Sequence, residues 1–105
     1  MLTKESALDI AYKFVDELKK NGFNLQSAYI FGSFVNGNFD QYSDIDIAII
    51  SDDFTGFGFE DRKRINPVIL KLSSSIEVHP FNTEDFNLDN PFVREILKTS
   101  IKINN

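Results

Sequence analysis

An α/β (or α+β) fold built on a small β-sheet is what this sequence predicts, and three observations predict it. Apolar residues recur at helical spacing from Thr3 to Lys20, and two short β-prone runs follow at Ser27 to Phe31 and Asp44 to Ile50. A second helical stretch then separates these runs from a third, Ser75 to Phe81. The order helix, strand, strand, helix, strand, helix suits one domain covering residues 1–105, because a chain of this length supports one core and not two.

Each element has its own local cause. In the first helix Ala7, Leu8, Ala11, Phe14, Val15 and Leu18 form one apolar face. Thr3 suits its N-cap, and Asn21-Gly22 its stop, with Gly22 at the left-handed C′ position. The strand from Ser27 ends abruptly at Gly32-Ser33, and a loop or short helical turn continues through Asn38-Phe39-Asp40. Asp44 to Ile50 is rich in isoleucine, as strands are. Ser51 to Gly58 reads as a loop, and Phe59 to Leu72 carries helix formers, with Pro67 near the helix start or at a kink. Pro80 closes the third strand, Thr83-Glu84-Asp85 opens a short turn, and Asn90-Pro91 supplies an N-cap with proline at the first helical position. That helix is expected to end near Thr99, leaving Ile101-Lys102-Ile103 for a short edge strand.

Composition narrows the function. A 42% hydrophobic content with eleven phenylalanines argues for a folded globule. With no cysteine, neither a disulfide framework nor a thiolate metal site is available. No apolar run approaches the roughly 20 residues that cross a bilayer, and Met1 to Glu5 does not open a signal peptide, so a cytoplasmic location without membrane partners is expected. A net charge of −5 weighs against binding long nucleic acid, which needs surplus lysine and arginine. A nucleotide remains compatible, because a triphosphate carried with Mg²⁺ brings its own cation.

Chemistry concentrates between Phe31 and Ile50. In a strand, side chains alternate faces, so Asp44 and Asp46 point one way while Ile45, Ile47 and Ile49 point the other. Their Cα atoms then stand about 6.5–7 Å apart, close enough for both carboxylates to reach one ion or an adjacent pair. Left alone, the like charges repel. A hard divalent cation removes that cost, and Mg²⁺ accepts one or two carboxylates together with substrate phosphates. Aspartate is also depleted in strands, so a strand that begins Asp-x-Asp has a reason beyond folding.

Gly32-Ser33, directly after the first strand, lets backbone N–H groups approach a phosphate closely, with the Ser33 hydroxyl as one more donor. Gly37 turns the loop back toward the second strand, where Ser43 directly precedes Asp44. Phosphates cradled by Gly32, Ser33, Gly37 and Ser43 would therefore lie beside a metal held by the aspartates. Each part alone is common, as a turn or a solvated strand rim. Six specified residues at fixed spacing occur by chance at roughly one in ten million start positions, so the conjunction carries the weight.

At these residues the chain resembles the nucleotidyltransferase superfamily with the polymerase-β-like palm, whose signature is Gly-Ser, a loop, then Asp-x-Asp. It is most similar to the minimal, stand-alone nucleotidyltransferases of prokaryotes (MNT domains). The resemblance implies a mixed sheet flanked by helices and two Mg²⁺ ions held by three carboxylates. It further implies transfer of a nucleoside monophosphate, AMP above all, from an NTP such as ATP to an acceptor hydroxyl. Relatives of this size pair with HEPN-domain proteins in toxin–antitoxin modules, which implies a protein partner of that type. An alternative is a degenerate transferase fold that neutralises a partner without catalysis, and a further one is transfer to a small molecule of aminoglycoside type.

The third strand offers the third carboxylate. Glu77, His79 and Phe81 share a face opposite Ile76 and Val78, and Glu77 is expected to bind metal and to act as base on the acceptor hydroxyl. The family more often has aspartate there. It also often has a cation where this chain has Asn36; Arg62, Lys63 or Arg64 would have to supply it, unless that cluster is a solvated helix face. His79, the only histidine, either steadies a carboxylate, contacts nucleotide or is structural. Phe54, Phe57 and Phe59 either stack on a base, pack in the core or face a partner.

Overall fold

Helix α1 (Lys4–Lys20) forms where the apolar stripe predicts it, burying Ala7, Ala11, Phe14, Val15 and Leu18. The Thr3 hydroxyl accepts the Ser6 N–H at 3.1 Å, and Gly22 takes the positive φ that ends the helix cleanly. The structure is a computed structural model that describes residues 3–40, 43–73 and 75–103. After α1 come β1 (Ser27–Phe31), the single turn α2 (Ser33–Asn36), β2 (Ile45–Ile50), α3 (Gly58–Leu72), β3 (Ile76–Phe81), α4 (Pro91–Thr99) and β4 (Ile101–Lys102).

The strands form one sheet in the order β3-β2-β1-β4. β1 runs antiparallel to β2 and β4, whereas β2 and β3 are parallel, so the sheet is mixed as expected. A parallel pair needs a long crossover, and α3 supplies it. β3 lies at an edge, which explains how it tolerates a proline inside it. The Ser75 and Phe81 carbonyls accept from Ile45 and Ser51 N–H at 2.7 and 3.1 Å, so odd-numbered positions face β2. Pro80 points its missing donor away from β2, and the strand continues through it to Phe81. Pro67 likewise sits inside α3 and not at its start.

The two faces of the sheet are packed differently. On one, Ile45, Ile47 and Ile49 of β2 meet Phe14 and Leu18 of α1 and Ile65 and Ile69 of α3 in one cluster. On the other, Ala48, Ile50 and Phe81 pack with Val93 and Ile96 of α4, joined by the partly buried Tyr29, Phe31 and Phe86. Asn90 caps α4 by accepting the Phe92 N–H at 2.9 Å, with Pro91 in the first turn.

The link from β2 to α3 is pinned by a fully buried carboxylate. Asp61 accepts the Thr55 N–H (2.8 Å), the Thr55 hydroxyl (3.0 Å) and the Gly56 N–H (3.1 Å), which offsets its burial. Among the described residues no helix is long and apolar enough to cross a membrane.

Candidate active site

The parallel pairing of β2 and β3 places Asp46 beside Glu77 in register, and the antiparallel pairing of β1 and β2 places Phe31 beside Asp46. Alternation then puts the Asp46, Glu77 and His79 side chains on the face that α4 only partly covers. One ligand atom from each of these three lies within 4.8 Å of the other two. His79 Nε2 stands 3.2 Å from Asp46 Oδ1. With Nε2 protonated, the imidazole donates to the carboxylate and fixes its orientation. Glu77 is exposed, so the cluster is open to solvent on one side.

Gly32 closes the other side. Its φ of +83° and ψ of −152° lie in a region that only glycine occupies readily. A Cβ there would overlap Asp46 Oδ2, so the same position must be glycine a second time, for space. The absent side chain lets backbone lie directly against the carboxylate. In α2, which follows, the Ser33 and Phe34 N–H groups have no intrahelical acceptor, and Gly32 offers no side-chain cap. Phe34 is buried and stacks on Phe39 at 4.6 Å, anchoring this turn to the α1 side. Gly37, at φ +82° and ψ 5°, ends it by donating to the Ser33 carbonyl at 3.0 Å.

The structure thus brings Asp46, Glu77 and Gly32 together, with Ser33 next in the chain. Gly37 lies at the far end of α2. Asp44 precedes β2 with the parity of Asp46, but it is exposed and outside the three-residue cluster. The Ser43 hydroxyl accepts the Asp40 N–H at 2.9 Å, so it shapes the approach to β2. Asn36 is exposed. Arg64 donates to the Asp53 carbonyl at 2.7 Å and covers the Phe23 ring, and Lys63 lies over Phe59. Arg62, Lys63 and Arg64 are therefore an exposed helix face, with Arg64 reaching across to Phe23 and Asp53. Phe54 is core, whereas Phe57 and Phe59 are exposed.

Two features depend on pairing across the sheet and packing on it, and are not legible in the sequence. Shared parity of Glu77 and His79 was legible, but the register that puts His79 on Asp46 was not. Nor was the aromatic row beside it: Phe92 meets His79 and Phe31 in T-shaped contacts, with centroids 5.6 and 6.0 Å apart, and Phe81 at 5.9 Å. The donor set fits a hard cation, since two carboxylates converge where backbone leaves room. The imidazole, a softer donor, is already engaged with Asp46.

Residues 11–103 match the profile of the nucleotidyltransferase domain family. No curated protein shows significant sequence similarity to the chain. Among solved structures, the chain is similar to a protein of Sulfolobus solfataricus provisionally assigned as a nucleotidyltransferase. The TM-score is 0.64 at 21% identity, covering 94% of this chain and 80% of that one. A mutant form of the toxin–antitoxin MntA–HpeT matches with a TM-score of 0.61 at 22% identity, over 90% of this chain and 72% of the other. A toxin–antitoxin structure with AMP-PNP matches with a TM-score of 0.55 at 18% identity, over 87% and 70%.

Proposed function

Because the chain belongs to the nucleotidyltransferase domain family, we propose that it transfers AMP from ATP to an acceptor hydroxyl, with residues 1–105 acting as one domain. The observation that carries this reading is the in-register pair Asp46 and Glu77 with the Gly32 backbone laid against Asp46. Asp44, Asp46 and Glu77 would hold two Mg²⁺ ions. Mg²⁺, when bound, supplies the Lewis acidity that draws charge off the α-phosphate.

The chain's own groups do the rest. The Ser33 and Phe34 N–H groups and the Ser33 hydroxyl bind the β- and γ-phosphate oxygens, in a turn that Gly32 and Gly37 make. Ser43 holds the loop that delivers Asp44. His79 fixes the Asp46 carboxylate so that it does not reorganise during the reaction. Glu77 accepts the proton of the acceptor hydroxyl as its oxygen bonds to the α-phosphorus and pyrophosphate leaves.

The likeness to a toxin–antitoxin pair and to an AMP-PNP complex supports ATP as donor and a protein as partner; the family resemblance implies that this partner is of HEPN type and is also the acceptor. Such an antitoxin would work in the cytoplasm. A second reading is a non-catalytic antitoxin, favoured by the exposed position of Asp44 outside the cluster and by Asn36 where a cation would serve phosphate.

Calorimetric titration of ATP, with and without Mg²⁺, tests the nucleotide site in the parent chain and in the Asp44→Asn/Asp46→Asn variant. Mg²⁺-dependent binding that the variant loses is expected, followed by a mass gain of one AMP on a co-expressed partner. Absence of nucleotide binding by folded protein sinks the catalytic reading. Neutralisation of the partner by the variant would establish the non-catalytic one.

A further inference from the structure

Beside the carboxylate cluster lies a ring that the reaction as described leaves without a task. Phe92 sits in the first turn of α4 and is 44% exposed, although its neighbours Phe31, His79 and Phe81 are buried or partly buried. Its backbone is held still: Asn90 accepts its N–H, and Arg94 donates to the Leu88 carbonyl at 2.8 Å, fastening the segment before the helix to the helix itself. The ring is held as well, since Phe31 and His79 meet it at 75° and 72°. A braced aromatic ring with uncovered surface loses little freedom when a flat partner settles on it, which is what a stacking platform requires.

Its position selects the partner. His79 links the two places, touching Phe92 through its ring and Asp46 through Nε2. A ligand whose phosphates lie at Gly32 and Asp46 and whose far end is planar and apolar meets both. We propose that Phe92 is the stacking platform for the nucleobase of the bound nucleotide, with Phe31, His79 and Phe81 as the rings that brace it. The inference rests on the nucleotide site proposed above and adds where the base lies. Base–aromatic stacking tolerates any base, because each has a π-face, so this contact raises affinity without choosing among NTPs.

The test compares two probes on the full chain, Mg²⁺-ATP and Mg²⁺-tripolyphosphate, which share the triphosphate and differ in the nucleoside. Phe92→Leu keeps apolar bulk on α4 and removes the ring; Phe92→Ala removes both. Each is expected to weaken Mg²⁺-ATP by about fivefold to 150-fold, the range for losing one base–aromatic stack, and to leave Mg²⁺-tripolyphosphate unchanged. Because the chain has no tryptophan, Phe92→Trp places a single reporter on the platform. Its fluorescence should change with Mg²⁺-ATP and not with Mg²⁺-tripolyphosphate. Unchanged ATP affinity in a folded Phe92→Leu variant overturns the proposal, and so does an equal loss for both probes. Failure of the parent chain to bind either probe overturns the nucleotide site itself, and this inference with it.

Discussion

Two faces of one strand do different work in this molecule. Along β2, Ile45, Ile47 and Ile49 are fully buried against α1 and α3, whereas Asp46 on the opposite face remains partly exposed beside Glu77 and His79. The first face is dry, apolar throughout and covered by two long helices. The second has one short helix, a row of aromatic rings and an uncovered carboxylate cluster. A strand with both faces apolar would fold as well and do nothing. The period of two lets one short sequence line the core with one face and carry the carboxylate cluster on the other, which predicts that each can be altered without the other.

The sharpest way to break that division is to cut the dry face. Ile47→Ala removes a fully buried side chain from the larger cluster and should cost about 2–5 kcal/mol in urea denaturation. The Asp44→Asn/Asp46→Asn variant, altered at the neighbouring positions, should keep or gain stability while losing Mg²⁺-nucleotide binding. If the carboxylate variant unfolds and Ile47→Ala does not, the two faces are not separable in this way.

Gly32→Ala sharpens the comparison from the loop. The backbone conformation there disfavours any side chain by about 1–3 kcal/mol, and the new methyl must also displace the Asp46 carboxylate. A moderate fall in melting temperature with complete loss of Mg²⁺-ATP binding is expected. Retained binding would show that Asp46 has somewhere else to go.

The smallest effect belongs to the outer skin of α1. Lys20 is held protonated above the ordinary lysine range by its hydrogen bond to Asp16, and by the Asp16 and Glu17 charges. A raised pKa stabilises the fold at pH below the ordinary lysine value and ceases to do so as pH rises through the raised one. Lys20→Met should therefore lower the melting temperature only slightly at neutral pH, and the difference from the parent should vanish in strong alkali. A large effect would mean that the helical surface matters as much as the faces.

Much of this was legible in the sequence, for physical reasons that are local. The stripe of α1, the Asn90-Pro91 start of α4 and the isoleucine-rich β2 each follow from residues a few positions apart. The Gly-Ser and Asp-x-Asp pieces were legible for the same reason. What was not legible depends on pairing across the sheet. Parity puts Asp44 and Asp46 on one side, but only the β2–β3 register shows that Asp46, Glu77 and His79 converge while Asp44 stands at the margin. Asp61 reads locally as an acid in the first turn of a helix, favourable to its dipole. Its complete burial under Thr55 and Gly56 depends on how the preceding loop folds back. Pro80 reads as a strand terminator until the strand is known to lie at an edge with its even positions outward.

The parallel register has a consequence for when the site comes into being. Asp46 and His79 are 33 positions apart, and the whole of α3 lies between them. No local event along the chain can build their contact. It forms only when the crossover has closed and β3 has docked, a long-range step of the kind that is slow in folding. The carboxylate cluster therefore cannot exist before β3 has docked on β2. A chain in which β3 has not docked, however helical, presents Asp46 and Glu77 apart.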